Sequence, residues 1–124
     1  MKSLYPVLLV FLGGGFGASL RFGVNQIFAG SAFPASTLIV NVVGSLALGV
    51  LWSLSKGSLV SPTVMMFLGV GILGGFTTFS GYSLESLRLL EDKQHMFFLA
   101  NVVSNNVLGF GFCALGLFLG KQFS

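Results

Sequence analysis

Charge is almost missing from this chain. Of its 124 residues only 7% are Asp, Glu, Lys or Arg, against about a quarter in a typical soluble domain, which excludes a fold made for water. Acid is scarcest: Glu85, Glu91 and Asp92 are the only carboxylates, and neither the second nor the fourth apolar stretch carries one. A proton-coupled small-molecule exporter normally embeds a carboxylate in its helices, so that class is disfavoured although the chain length suits it. Cysteine occurs once, as Cys113, so no disulfide closes within the chain and no thiol cluster offers a metal site. The one histidine, His95, lies in the most charged connection beside Glu91, Asp92, Lys93 and Gln94, where a solvated loop residue is expected rather than a ligand. No nucleophile–base pair, phosphate loop or metal-ligand spacing is present, so no enzyme is expected. Six Lys and Arg give a net charge of +3, but they are scattered and form no basic patch for nucleic acid.

What the chain has instead is apolar length, with 54% hydrophobic residues. A bilayer core takes about 20 mostly apolar residues per helix. Four such stretches, Leu4–Phe28, Ser36–Ser55, Val64–Leu90 and Met96–Gly120, account for nearly all of residues 1–124. The expected fold is a single all-α integral membrane domain of four transmembrane helices. The first stretch follows a basic Lys2 but outruns the short core of a signal peptide and lacks a small-x-small cleavage site, so it is read as a helix. Pro34 precedes the second helix, with Ser36 or Thr37 available as caps, and Ser61-Pro62 opens the third as N-cap and first-turn proline.

Four spans put Lys2, Lys56 and Lys121 on one side and Arg88, Lys93 and, near the surface, Arg21 on the other. Three against three leaves the positive-inside rule nothing to act on. Insertion in both orientations is expected, and with it an antiparallel dimer of identical subunits. Size points the same way, because four helices hold little interior in which to bury a hydrophilic path from lipid.

Glycine, at 18 residues, recurs at helix-packing intervals: Gly13 and Gly17, Gly44 with Ser45 and Gly49, Gly71 and Gly75, Gly116 and Gly120. Small residues four apart let helix backbones approach closely. The run Gly74-Gly75-Phe76-Thr77-Thr78 stands apart, since it places poor helix formers near the middle of the third stretch. Two readings are open there. The helix breaks, freeing carbonyls and hydroxyls that can hold a small cation, or it bends and the threonines bond back to carbonyls.

Phe79 and Tyr82 are three residues apart just beyond this run, so their rings share a helix face. They are either packing or lipid-facing aromatics, or a feature of a path. Asn41 lies one turn beyond Thr37 in the second stretch, and Asn101 and Asn105 are one turn apart in the fourth. Buried amides are costly in hydrocarbon. Stacked in this way they are either interhelical glue or a polar track, which Asn106 and Ser104 adjoin. Arg21, late in the first stretch, either snorkels to the interface or meets anions in a vestibule. Glu85 is expected at the interface.

Together these residues resemble a known family. The segments Gly13-Gly14-Gly15-Phe16-Gly17-Ala18-Ser19-Leu20-Arg21-Phe22, Thr37-Leu38-Ile39-Val40-Asn41-Val42-Val43-Gly44-Ser45 and Gly74-Gly75-Phe76-Thr77-Thr78-Phe79-Ser80 are similar to those of the bacterial fluoride channels known as Fluc or CrcB. The resemblance implies a dual-topology homodimer in the bacterial inner membrane, with two antiparallel pores that let fluoride out passively and lower cytoplasmic fluoride. It implies a structural sodium ion at the dimer axis, held by main-chain carbonyls of Gly74 and Thr77. It assigns Asn41, Phe79, Tyr82, Thr37 and Ser80 to the fluoride pore, Asn101 and Asn105 to its fourth-helix track, and Arg21 to the vestibule. The chain departs from the family pattern at Tyr82, where a second phenylalanine is usual, and at Phe22, where a tyrosine is. The fourth helix carries Asn101, Asn105, Gly109 and Cys113 where a tyrosine and hydroxyls are expected. A register shift of one would substitute Asn106. These changes bear on lining and selectivity, and leave open pairing with a non-identical sister subunit. A non-conducting membrane scaffold is the reading left if the amides only join helices.

Overall fold

A computed structural model describes residues 3–123, so Lys2, one of the topology charges, lies outside it. Among the described residues four stretches are long and apolar enough to cross a membrane: Tyr5–Ile27, Ala35–Lys56, Pro62–Glu91 and His95–Lys121. No strand occurs among the described residues.

The two proline-marked starts differ. Ser61 caps the third span as expected: Val64 N–H donates to its Oγ at 3.2 Å, with Pro62 in the first turn. The second helix begins at Ala35 with Pro34 at the cap position and no side-chain cap bond. The cap expected from Ser36 or Thr37 is absent because Thr37 is already inside the helix, and its hydroxyl turns to Glu85 instead.

The third span is not uniform. Its short opening turn, Pro62–Val64, passes into a wider π-helical winding over Met65–Leu73 and then one α turn, Gly74–Phe76. Thr77 (φ −85°, ψ 159°) and Thr78 (φ −151°, ψ 121°) are extended. Helix resumes over Phe79–Glu91, capped by the Thr78 hydroxyl, which accepts from Gly81 N–H at 2.9 Å.

The glycines explain how the helices pair. A Cβ on Gly13 would lie 3.1 Å from Gly71 Cα, and one on Gly75 would lie 3.1 Å from Ala18 N. The first helix and the first half of the third span therefore touch backbone to backbone. The second and fourth helices do the same, since a Cβ on Gly49 would lie 3.1 Å from Gly116 Cα. Ser53 adds a polar tie across that second crossing, donating its hydroxyl to Leu117 O at 2.7 Å. Dispersion between close backbones holds such pairs where no hydrophobic force separates helix from lipid.

The distribution of polarity is the reverse of a soluble domain. Thr37, Ser53, Ser86 and Asn101 are buried, whereas Phe11, Phe79, Phe110 and Phe118 are exposed. Water would penalise that exterior and hydrocarbon would not, which fits a multi-pass membrane protein.

The crossings yield a stability prediction. A Cβ on Gly17 would sit 2.9 Å from Phe76 N and closer still to the Ile72 carbonyl, whereas one on Gly15 meets nothing within 4 Å. Gly17→Leu is expected to destabilise the protein by about 1–3 kcal/mol or more, as overpacking does, and Gly15→Ala to cost nothing and stabilise by up to about 1 kcal/mol, as read by reversible unfolding in detergent.

Candidate functional site

Backbone that leaves the helical ladder at membrane depth must find other partners, because no water is there to supply them. At Thr78 the partner is one side chain. Asn41 accepts from Thr78 N–H through Oδ1 at 2.9 Å and donates from Nδ2 to the Thr78 carbonyl at 3.1 Å. A carboxamide carries a donor and an acceptor close enough together for this double bond at any pH. Two further groups are served nearby. Arg21 Nε donates to Gly75 O at 3.1 Å, and the Thr77 hydroxyl donates to Leu73 O at 3.0 Å. Arg21, half-buried, thus ties the end of the first helix to the third span.

The same bonds redirect two donors. In a continuous helix the Thr78 and Gly81 amides would serve the carbonyls of Gly74 and Thr77. Here Thr78 N–H goes to Asn41, and Gly81 N–H goes to the Thr78 hydroxyl.

From Asn41 a chain of amides runs toward the fourth helix. Asn41 Nδ2 also donates to Asn105 Oδ1 at 3.0 Å, and Asn105 Nδ2 to Asn101 Oδ1 at 2.9 Å. Asn101, fully buried, donates to Ser86 Oγ at 2.9 Å, and Ser86 donates to Tyr82 O at 2.7 Å. Every donor points the same way along the chain, an arrangement in which each bond polarises the next. Ser104 donates only to the Asn101 carbonyl, at 3.4 Å. The two N–H groups of Asn41 are both in use within the protein.

On the other side of Asn41, one turn along the second helix, Thr37 donates to the Glu85 carboxylate, with oxygens at 2.7 and 2.9 Å. Glu85 in turn lines a cavity of about 400 Å³ at the end of the bundle, with Asn25, Arg88, Asp92 and Gln94. A polar line therefore runs from this cavity through Glu85 and Thr37 to Asn41.

Beyond Asn41 the line reaches a side groove of about 430 Å³. Asn41, Asn105, Phe79 and Tyr82 line it, and so do Gly74 and Thr77. The Phe79 and Tyr82 rings meet edge to face, 5.6 Å between centroids and 60° between planes, and Phe79 is 79% exposed. Of the other residues named from sequence, Thr37 and Asn101 are buried behind the groove. Ser80 pairs with the Thr78 hydroxyl at 3.3 Å, and Arg21 lies against Gly75.

Two members of this network escape sequence reasoning. Glu85, read as interfacial, meets a residue 48 positions away, and Ser86 closes the amide chain on the second half of the third span. Neither carries a local motif, since their partners come from other helices.

Four membrane-crossing helices with amides and hydroxyls strung between them define a small multi-pass membrane protein. Residues 8–117 match the family described as CrcB-like protein, Camphor Resistance (CrcB), and the chain belongs to that family. It is 43% identical over 120 residues to a protein of Shewanella halifaxensis named fluoride-specific ion channel FluC, covering 94% of this chain and 93% of that one. A Parabacteroides distasonis protein of the same name is 39% identical over 122 residues, covering 96% and 95%. These relatives are named as ion channels, not enzymes.

The clamp on Thr78 yields the second prediction. Asn41→Leu keeps the branched shape but leaves the Thr78 N–H and carbonyl unpaired, each expected to cost roughly 1–3 kcal/mol. Unfolding in detergent should register the loss, and hydrogen exchange at the Thr78 amide should accelerate.

Proposed function

We propose that this protein is a fluoride-selective channel giving passive fluoride export across the bacterial inner membrane. The observation that carries the reading is the convergence of Asn41, Asn105, Phe79 and Tyr82 on one groove, in a chain whose relatives are named fluoride-specific channels. The functional unit is an antiparallel, dual-topology homodimer with one pore along each of two such grooves, each completed by the facing subunit. A groove open along its length needs such a wall, because polar lining cannot face lipid.

Fluoride is small and strongly hydrated, so the pore has to replace its water with donors. Neutral donors suit conduction, since binding must be strong enough for entry and weak enough for release. Both Asn41 N–H groups have protein partners, and the exchangeable one is Asn105 Oδ1: fluoride takes its place at Asn41 Nδ2 while the bond to Thr78 holds. The electropositive edge of Phe79, Tyr82 and the Ser80 hydroxyl supplement that donor. The Thr37–Glu85 pair marks the mouth on the end cavity, and Arg21 lends positive charge beside Gly75. Export needs no energy source: weak acid enters as HF, ionises inside, and the trapped anion leaves through the pore.

The carbonyls of Gly74 and Thr77, whose helical donors are diverted, are the groups that would hold a structural sodium ion at the dimer axis. Carbonyl oxygens suit a hard cation, and among the described residues no His, Cys, Asp or Glu cluster competes for that role. The bound ion would supply fixed positive charge and tie the two subunits together at the extended segments.

The self-satisfied amide chain of Asn41, Asn105 and Asn101 favours one rival, a non-conducting scaffold. Fluoride efflux from liposomes containing the purified protein, with potassium and valinomycin setting the voltage, separates the two. Rapid fluoride release without chloride release is expected. It should fall at least tenfold in Asn41→Asp and in Phe79→Ile, whose exposed side chain makes little contribution to folding. No release by a folded dimer would sink the homodimer channel. Flux that requires a proton gradient would indicate an exporter, and absence of flux for any solute a scaffold.

A further inference from the structure

The groove holds one hydrogen-bond donor that is free and oriented, the phenol of Tyr82. Most of its polar neighbours are engaged. Asn41 and Asn105 donate to Thr78, Asn105 and Asn101, and the Thr77 hydroxyl to Leu73. Tyr82 is different, because its phenolic oxygen accepts from Asn106 Nδ2 at 3.1 Å. A phenol that accepts keeps its own proton for donation, and among the described residues that proton has no acceptor. Asn106 is itself fixed, as its Nδ2 also donates to the Val102 carbonyl at 2.8 Å. Ser45, another hydroxyl on the groove, has no such partner to aim it.

We infer that Tyr82 Oη–H is a fluoride-binding donor in this chain, and that Asn106 positions it. The inference rests on the channel reading above, in which Tyr82 already lines the pore, and adds to it the atom that binds and the side chain, Asn106, that aims it. A phenylalanine at this place offers an anion only the weak positive edge of its ring. A tyrosine adds an O–H donor, and a hydrogen bond to an anion is roughly twice as strong as one between neutral groups. The amide N–H of Asn106 draws electron density from the phenolic oxygen, which strengthens the outgoing O–H donor. The Phe79 ring stands edge to face against Tyr82 and holds its other side. Fluoride at Tyr82 Oη would therefore sit beside Phe79, one step along the groove from Asn41.

The test is a double-mutant cycle on fluoride efflux from liposomes, measured over a range of internal fluoride concentrations for wild type, Tyr82→Phe, Asn106→Leu and the double variant. Tyr82→Phe is expected to raise the half-saturating fluoride concentration about tenfold. Asn106→Leu should raise it about three- to tenfold in the wild-type background and have no effect in the Tyr82→Phe background. Unfolding in detergent and the dimer fraction of the same proteins distinguish a folding or assembly defect: Tyr82→Phe removes one oxygen from a half-buried ring and Asn106 is exposed in the subunit, so both should stay within the wild-type range. Independent, additive effects would overturn the positioning role of Asn106, and an unchanged Tyr82→Phe would overturn the site. A wild-type protein that passes no fluoride defeats the channel reading itself, an outcome distinct from either.

Discussion

The structure turns on the double hydrogen bond between Asn41 and the backbone of Thr78. Two extended residues in the middle of an apolar span leave peptide groups without helical partners, and hydrocarbon offers none. A single half-buried amide on the neighbouring helix satisfies both groups of Thr78. The consequences spread outward: the extended segment persists, the second half of the third span starts a new helix with Thr78 as its cap, and the carbonyls of Gly74 and Thr77 lose their helical donors. Asn41 also sets the direction of the amide chain, because its remaining N–H is aimed at Asn105.

That clamp works only because the helices come close. Gly44 lets the Thr77 side chain lie against the second helix, and Gly13, Gly17 and Gly75 let the first helix touch the third span by its backbone. The glycines and the amides therefore answer the same constraint. A chain with a polar interior and an apolar exterior has no hydrophobic collapse to drive its helices together, so close backbones supply dispersion and amides supply directed bonds. The cost is that much of the interior hydrogen-bonding capacity is used internally. On the proposed channel reading, a small, strongly hydrated anion then exchanges for a protein acceptor at Asn41 or takes the oriented free donor of Tyr82.

The charged groups keep to the edges of this arrangement. Glu85 meets Thr37 where the polar line opens into the end cavity beside Arg88 and Asp92, while Arg21 extends its guanidinium toward Gly75. Between them the line is neutral, made of amides and hydroxyls. Neutral groups avoid the large desolvation penalty that an unpaired charge would carry in the same place, and in the proposed channel they would hold an anion without trapping it.

Much of this is legible in the sequence for a plain reason. Apolar runs of membrane length fix four spans, glycines four apart mark the crossings, and Gly74-Gly75 with Thr77-Thr78 marks a segment where the third span either breaks or bends. These are local properties, set by composition and spacing along the chain. Which helix faces which is not local. The partners of Asn41, Thr37 and Asn101 are 37, 48 and 15 residues away, and nothing along the chain tells Glu85 from an interfacial acid or Asn106 from a bystander of the amide track. By itself the sequence determined the solvent, the number of spans and the residue types available for a polar path. Only the tertiary structure decided which amides are consumed in holding the backbone and which donor stays free, because hydrogen-bond partnership between helices depends on their rotation and depth, and neither is written in a helix's own periodicity.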